Sequence, residues 1–240
     1  MAEPHYQLHQ GRRSSHQQIA ALVREMKRSP ILDVGSAQGM LGQLIQGSGL
    51  AIDAVEPNPD WAAVARPYYR NSYTGTIESV SLPEKHYQVI VCGDVLEHTV
   101  DPAEVLRQLR RLATDDAVFI VSVPNVAHFS VRLMLLFGLF PKMPRGILDR
   151  THLHFFTRKT AIAMLNDAGL TVSRILKTGV PLEQLGRGDG ARRTLAGLSR
   201  LQNPFLLLMP RLFAFQWIFV ASAGSRPVSP ARETLVAAAH

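Results

Sequence analysis

Asp33-Val34-Gly35-Ser36-Ala37-Gln38-Gly39 decides how this chain is read. Ile31 and Leu32 precede it as a short apolar run of the kind that forms a buried strand, and a helical pattern follows it. A second apolar run, Leu50 to Val55, ends on an acid, Glu56. Strand, glycine turn, helix, strand and acid together form the sequence pattern of a nucleoside site at the edge of an α/β sheet. The glycines let backbone approach a ligand closely. The acid at the end of the second strand is placed to accept both ribose hydroxyls.

The turn is not of the dinucleotide type. That fingerprint needs Gly-x-Gly-x-x-Gly, and here Ala37 stands at the middle position. Asp33 precedes the first glycine by two residues, where a pyrophosphate would be repelled and a cationic ligand favoured. No Tyr-x-x-x-Lys pair supports a nicotinamide dehydrogenase. On these residues Ile31 to Gly39 resembles motif I of the class I S-adenosylmethionine-dependent methyltransferases, and Glu56 resembles their ribose-binding acid.

Two further strings carry the same resemblance. Asp94-Val95-Leu96-Glu97-His98, leading into Asp101-Pro102, is similar to the segment after strand four in small-molecule methyltransferases of the ubiquinone-biosynthesis type. Asp149-Arg150-Thr151-His152, followed by Phe155-Phe156-Thr157, resembles a segment of one broad branch of that superfamily. The likeness covers about residues 29–178. It identifies a superfamily and leaves the substrate open.

The expected fold class is α/β, a doubly wound, mostly parallel seven-stranded sheet. Strands are expected near 30–34, 51–56, 72–77, 87–93 and 116–123, and helices near 39–46, 59–66 and 101–113. Arg158 to Ala168 reads as a helix closed by Gly169, and Leu170 to Leu176 as strand six. Phe213 to Ser222 reads as strand seven; the resemblance implies that it inserts antiparallel between strands five and six. Residues 1–28 form an N-terminal helical segment whose helix is expected against the sheet edge. Residues 29–223 form the main domain, with a cover insertion at about 125–150 and a mobile loop at about 179–203. The tail, 224–240, is expected to be disordered in its first half.

Composition bounds the setting. The chain has 240 residues, 46% of them apolar, which suits one α/β domain with additions. Its one cysteine, Cys92, falls in a predicted strand and reads as a core residue. No disulfide within the chain is possible, in keeping with a reducing compartment. The opening residues lack an apolar segment, so no secretory signal is expected. A cytoplasmic protein is expected, with contact to a membrane surface left open.

Charge is unevenly spread. Residues 1–125 carry a net −3 and residues 126–240 a net +10, within a total of +7. The basic half suits an anionic small molecule, lipid or glycan, or else is a solvated surface. Nucleic acid is the weaker partner, because no nucleic-acid-binding motif accompanies the charge.

The resemblance implies S-adenosylmethionine as cofactor and the following roles. Asp33 acts at the methionine end, on the ammonium or by ordering the turn. Gly35, Ser36 and Gly39 give close backbone contact. Glu56 holds the ribose, with Asn58 nearby. Gly93, Asp94 and Val95 form the floor near the methionine moiety. Thr76 and Ile77 border the adenine, although relatives carry Asp where this chain has Thr76.

For proton removal His98, His152 and His154 are the candidates, each with a structural alternative. If Asp149 to Thr157 is extended, His152 and His154 share one face. No metal site is expected, for want of further ligands beside that pair. Arg145 and Arg150 are candidates for binding an anionic substrate group. Methyl transfer, to oxygen of a small molecule, lipid-linked intermediate or glycan, is the expected activity. A non-catalytic S-adenosylmethionine-binding protein, or a methyltransferase acting on protein or RNA, is the alternative.

Overall fold

A computed structural model of the chain describes residues 14–180 and 203–223. Most of the expected mobile loop and the whole tail lie outside these residues. Seven strands form one sheet in the order β3-β2-β1-β4-β5-β7-β6. They are β1 (Ile31–Val34), β2 (Ile52–Glu56), β3 (Asn71–Thr74), β4 (Tyr87–Gly93), β5 (Ala113–Pro124), β6 (Thr171–Thr178) and β7 (Gln216–Ser222). Strands β1 to β5 are mutually parallel. Strand β7 runs antiparallel to both neighbours, β5 and β6, as the resemblance implied.

Parallel pairing needs crossover helices, which cover both faces of the sheet. The helices are α1 (Ser15–Met26), α2 (Met40–Ile45), α3 (Pro59–Ala65), α4 (Pro102–Leu112), α5 (Phe129–Leu136) and α6 (Arg158–Asp167), with two short ones, Asn203–Leu208 and Pro210–Phe213, ahead of β7. Alternate strand residues divide between two cores. Leu32, Ile90, Cys92 and Phe119 pack with Leu106 and Leu109 of α4 and Leu165 of α6. Ile31, Val91 and Ile120 pack on the other face with α1 and α2. Cys92 is fully buried, and burial pushes its thiol well above the ordinary range, as befits a core residue.

The helix ends follow local chemistry. Asp101 caps α4 by accepting from the Glu104 amide at 2.9 Å, with Pro102 in the first turn. Ser14 caps α1 by accepting from the Gln17 amide. Helix α1 departs from its expected place. Ile19, Leu22 and Val23 bury against Val91, Ile120 and Ile218, so α1 covers the middle of the sheet rather than its edge. Its apolar stripe demands a partner, and the central strands offer more apolar area than the edge does.

Strand β3 is also shorter than expected. It stops at Thr74, and the left-handed Gly75 (φ 149°) turns the chain into a loop that carries Thr76 and Ile77. The insertion after β5 contains α5 and has a small core of its own, Val131 with Ile147 and Leu148. A bridge from Asn125 to Phe156 ties both ends of this region to the sheet.

Candidate functional site

The sheet order reverses between β1 and β4, and the carboxyl ends of these strands form the crevice where α/β sheets hold ligands. The glycine turn sits there. Gly35 adopts φ 68°, Ala37 φ 47° and Gly39 φ 84°. The Gly35 and Ser36 amides donate to the Val55 carbonyl at 2.8 and 3.2 Å, which pins the turn to β2. A Cβ on Gly35 would lie 2.5 Å from Val95 Cγ2, so this glycine lets the turn touch the loop after β4. Gly39 serves a different approach. A Cβ there would meet Ala65 and Tyr68 at 3.0–3.1 Å, so its smallness admits α3 rather than a ligand.

Glu56 organises the turn. It is 4% exposed; one carboxylate oxygen accepts from the Ala37 amide at 2.8 Å and the other from the Asn58 amide at 2.9 Å. A left-handed alanine is unfavourable by roughly 1 kcal/mol or more, and the carboxylate holds it in place. Each oxygen keeps lone-pair capacity for a further donor. Burial pushes the carboxyl above its ordinary range, against the pull of the two amides. Asn58 is occupied otherwise: its side chain accepts from the Asp60 and Trp61 amides and caps α3.

Asp33 lies beneath the turn. Tyr69 donates its hydroxyl to Asp33 Oδ2 at 2.6 Å and accepts from the Gly42 amide at 3.2 Å. Burial pushes the Asp33 carboxyl up to about 7, opposed by the Tyr69 hydrogen bond and reinforced by the Glu56 charge. Through Tyr69 the Asp33 carboxyl is tied to the first turn of α2. Tyr69 had no sequence signal; only its long-range contact reveals it. Ser36 carries a buried hydroxyl with no hydrogen-bond partner among the described residues, an orphaned polar atom within the turn.

Across the crevice, Asp94 has a left-handed backbone (φ 57°) and a fully engaged carboxylate. Ser122 Oγ donates to one oxygen at 2.8 Å, and Gln216 Nε2 donates to the other at 2.7 Å. Gln216 was missed by sequence reasoning, although a lone amide in the apolar run Phe213 to Ser222 was a visible signal. Gly93 makes only ordinary contacts; its nearest neighbour to a Cβ would be Ile19 at 3.7 Å. On the opposite side Thr76 is exposed and its amide donates to Ser79 Oγ, while Ile77 is half-buried against the core.

The candidate histidines separate. His154 sends Nε2 to the Val100 carbonyl and stacks on Phe156. His152 instead meets His98, their rings 4.7 Å apart and edge to face. The segment turns at Asp149, whose Oδ1 accepts from the Thr151 amide and hydroxyl, and His152 and His154 beyond it meet different partners. His98 Nδ1 faces the Thr151 carbonyl and His152 Nδ1 the Ile147 carbonyl. Carbonyl partners assign the proton to Nδ1 in both rings and leave Nε2 as the acceptor. Burial, then the neighbouring His98, lower the His152 pKa, so its ring is neutral at pH 7.

Glu97 completes this group. It is 1% exposed, and among the described residues no other side chain or backbone group donates a hydrogen bond to either carboxylate oxygen. Burial and the Asp94 charge push it well above the ordinary carboxylate range. Its backbone carbonyl accepts from the Leu153 and His154 amides, joining the two motif segments. One ligand atom each from Glu97, His98 and His152 lie within 4.8 Å of one another. Two imidazoles and a carboxylate are able to hold a divalent cation. The sequence sought further ligands around the His152–His154 pair, whereas the structure brings His98 and Glu97 to His152 and takes His154 away.

His128 is a further buried histidine that sequence reasoning passed over. It is 2% exposed, pairs Nδ1 with Ser130 Oγ, and is pushed down to about 4 by burial. Arg145 and Arg150 both lie exposed on the insertion.

The fold and the crevice define a nucleoside-binding α/β protein of the doubly wound class. The methyltransferase-domain family matches residues 8–175, and the chain belongs to that family. Two relatives named ubiquinone biosynthesis O-methyltransferase are similar. The one from Aeromonas salmonicida is 28% identical over 152 residues, covering 59% of this chain and 63% of that protein. The one from Azorhizobium caulinodans is 26% identical, covering 65% of this chain and 64% of that protein. The chain thus spans a little under two thirds of these relatives. Among solved structures, a SAM-dependent methyltransferase from Archaeoglobus fulgidus superposes with a TM-score of 0.58 at 18% identity, covering 87% of this chain and 95% of that one. The magnesium protoporphyrin IX methyltransferase of Synechocystis, with bound SAH, gives 0.60 at 16% identity, covering 89% and 84%.

Proposed function

We propose that this protein transfers a methyl group from S-adenosylmethionine to an oxygen of a small molecule, a lipid-linked intermediate or a glycan. The observation that carries this reading is the junction of Glu56, the left-handed Ala37 turn and Val95 at the sheet's switch point. The residues present fit the cofactor. Glu56 retains acceptor capacity for ribose hydroxyls, Ser36 offers an unspent buried hydroxyl, and the carboxylates of Asp33, Glu56 and Asp94 give this end of the sheet an acidic character that suits a cationic ligand. When bound, the cofactor supplies a methyl group already activated by the sulfonium.

The chain's own work is then alignment and proton removal. His152 is the proton acceptor, through Nε2. Its lowered pKa keeps it deprotonated at neutral pH, and the Ile147 carbonyl fixes the tautomer. His98 packs on its edge and orients it. His154 positions the segment through Val100 and takes no proton. Arg145 and Arg150 receive an anionic group of the acceptor. Gly93 and Val95 line the methionine side, and Ile77 covers the adenine. Transfer to oxygen draws support from the names of the similar relatives. Cytoplasmic residence is part of the same reading; among the described residues no helix is long and apolar enough to cross a membrane.

Calorimetry with S-adenosylhomocysteine and with NAD tests the reading. Binding of the sulfur nucleoside without NAD is expected. NAD binding alone would overturn it.

A further inference from the structure

Helix α5 is apolar on nearly every side, yet of its residues only Val131 is buried. Leu133 and Leu136 are exposed, Leu136 at 77%, and the chain continues with exposed Phe137 (70%), Leu139 and Phe140. The short helix Asn203–Leu208 adds Phe205, Leu207 and Leu208, the last 81% exposed. Tilted ring contacts join the two groups. Phe129 lies 5.2 Å from Phe213, and Phe213 lies 5.1 Å from Phe205. One continuous apolar face of this size is far beyond the scattered exposed leucines of an ordinary surface.

Charge identifies its partner. No Asp or Glu occurs between residues 126 and 148 or between 203 and 223. Arg132, Lys142, Arg145 and Arg211 lie in these stretches. Arg132 and Arg211 line one cleft together with Leu208 and Met209, so cations and apolar side chains share a wall. We propose that this face docks on an anionic lipid bilayer, with α5 and the helix Asn203–Leu208 lying in the interface and the arginines meeting phosphate headgroups. Amphipathic interfacial binding needs these two features together, buried apolar area and cationic attraction. A second copy of the chain fits less well, because it would oppose arginine to arginine.

The face leads toward the proposed acceptor site. Phe140 contacts Phe155 at 5.2 Å, and Phe155 lies 6.1 Å from His152. Docking therefore deepens the proposed function, on which this part rests: the acceptor is met at a membrane surface. The docking itself rests only on the face.

Flotation of the full chain with vesicles tests it, using phosphatidylcholine alone and phosphatidylcholine mixed with phosphatidylglycerol. The bound fraction should rise about tenfold with the anionic lipid and fall as salt is raised. The double variant Leu136→Ser with Phe137→Ser, and separately Arg132→Glu with Arg211→Glu, should each abolish flotation. Equal binding to neutral vesicles, no binding to either, or a wild-type dimer dissociated by Leu136→Ser with Phe137→Ser would each overturn the proposal. S-adenosylhomocysteine binding by the same variants is read by calorimetry and should be unchanged. Lost vesicle binding by the wild-type chain with retained nucleoside binding sinks the docking alone; the reverse sinks the methyltransferase reading alone.

Discussion

The Tyr69 hydroxyl joins Asp33 to the first turn of α2, donating to the carboxylate at 2.6 Å while accepting from the Gly42 amide. Asp33 is thereby held in a buried position where its carboxyl is pushed up to about 7. Its unfolded value is near 3.9. The folded chain binds this proton more tightly, so this group's contribution to stability falls as pH rises from about 4 to about 7. A cationic ligand favours the ionised form. Affinity for S-adenosylmethionine should therefore tighten between about pH 6 and pH 8. Tyr69→Phe removes the bond that holds the carboxyl down, so the rise should shift to higher pH. Calorimetric titration across that range checks both; a flat profile in the wild type would count against a cofactor charge near Asp33.

Glu56 spends its two oxygens on the Ala37 and Asn58 amides. Glu56→Gln can accept at only one of them, so one half-buried amide, that of the left-handed Ala37 or that of Asn58, loses its partner. We expect destabilisation of about 1–3 kcal/mol and S-adenosylhomocysteine affinity reduced roughly 10- to 100-fold. Thermal melts and calorimetry measure the two effects. An unchanged affinity would remove Glu56 from the ribose site.

Gly35→Ala places a methyl 2.5 Å from Val95 Cγ2 and forces a side chain into φ 68°. A loss of about 1–3 kcal/mol is expected from the clash and the backbone together. Val95→Ala should recover part of it, because it removes the clash and leaves the backbone strain. A double-mutant cycle in chemical denaturation isolates the coupling. Additive losses would mean that the turn and the loop after β4 are not in contact.

His152→Gln should lower turnover about 10²- to 10⁴-fold while leaving S-adenosylhomocysteine affinity within about twofold. His154→Gln should alter turnover little. Because burial and His98 lower the His152 pKa, the wild-type rate should rise with pH about a midpoint below the ordinary histidine value of 6.5. Incorporation of labelled methyl groups into an extract of lipids and small molecules provides the readout. Equal losses in the two variants would make His152 structural.

Much of the parallel sheet was legible because β1, β2 and β4 are short, largely apolar runs closed by a turn signal. The glycine turn and Glu56 were legible for the same reason: a few adjacent residues carry the whole signal. The contacts that hold them were not. Tyr69 reaches Asp33 across 36 positions and Gln216 reaches Asp94 across 122, distances over which no periodicity operates. The pairing of His152 with His98 rather than His154 depended on one carboxylate, Asp149, turning the chain. Strand β3 ended early because Gly75 permits a backbone angle that no pattern of apolar residues records.

Strand β7 enters the sheet between β5 and β6, and its first residue, Gln216, holds Asp94 in the crevice. The ligand site is therefore finished by almost the last described residues of the chain. During synthesis β1, β2 and β4 emerge early, but the Asp94 wall lacks one of its hydrogen bonds until β7 has been made and threaded home. Ligand affinity in this protein thus doubles as a report on whether β7 has reached its place in the sheet.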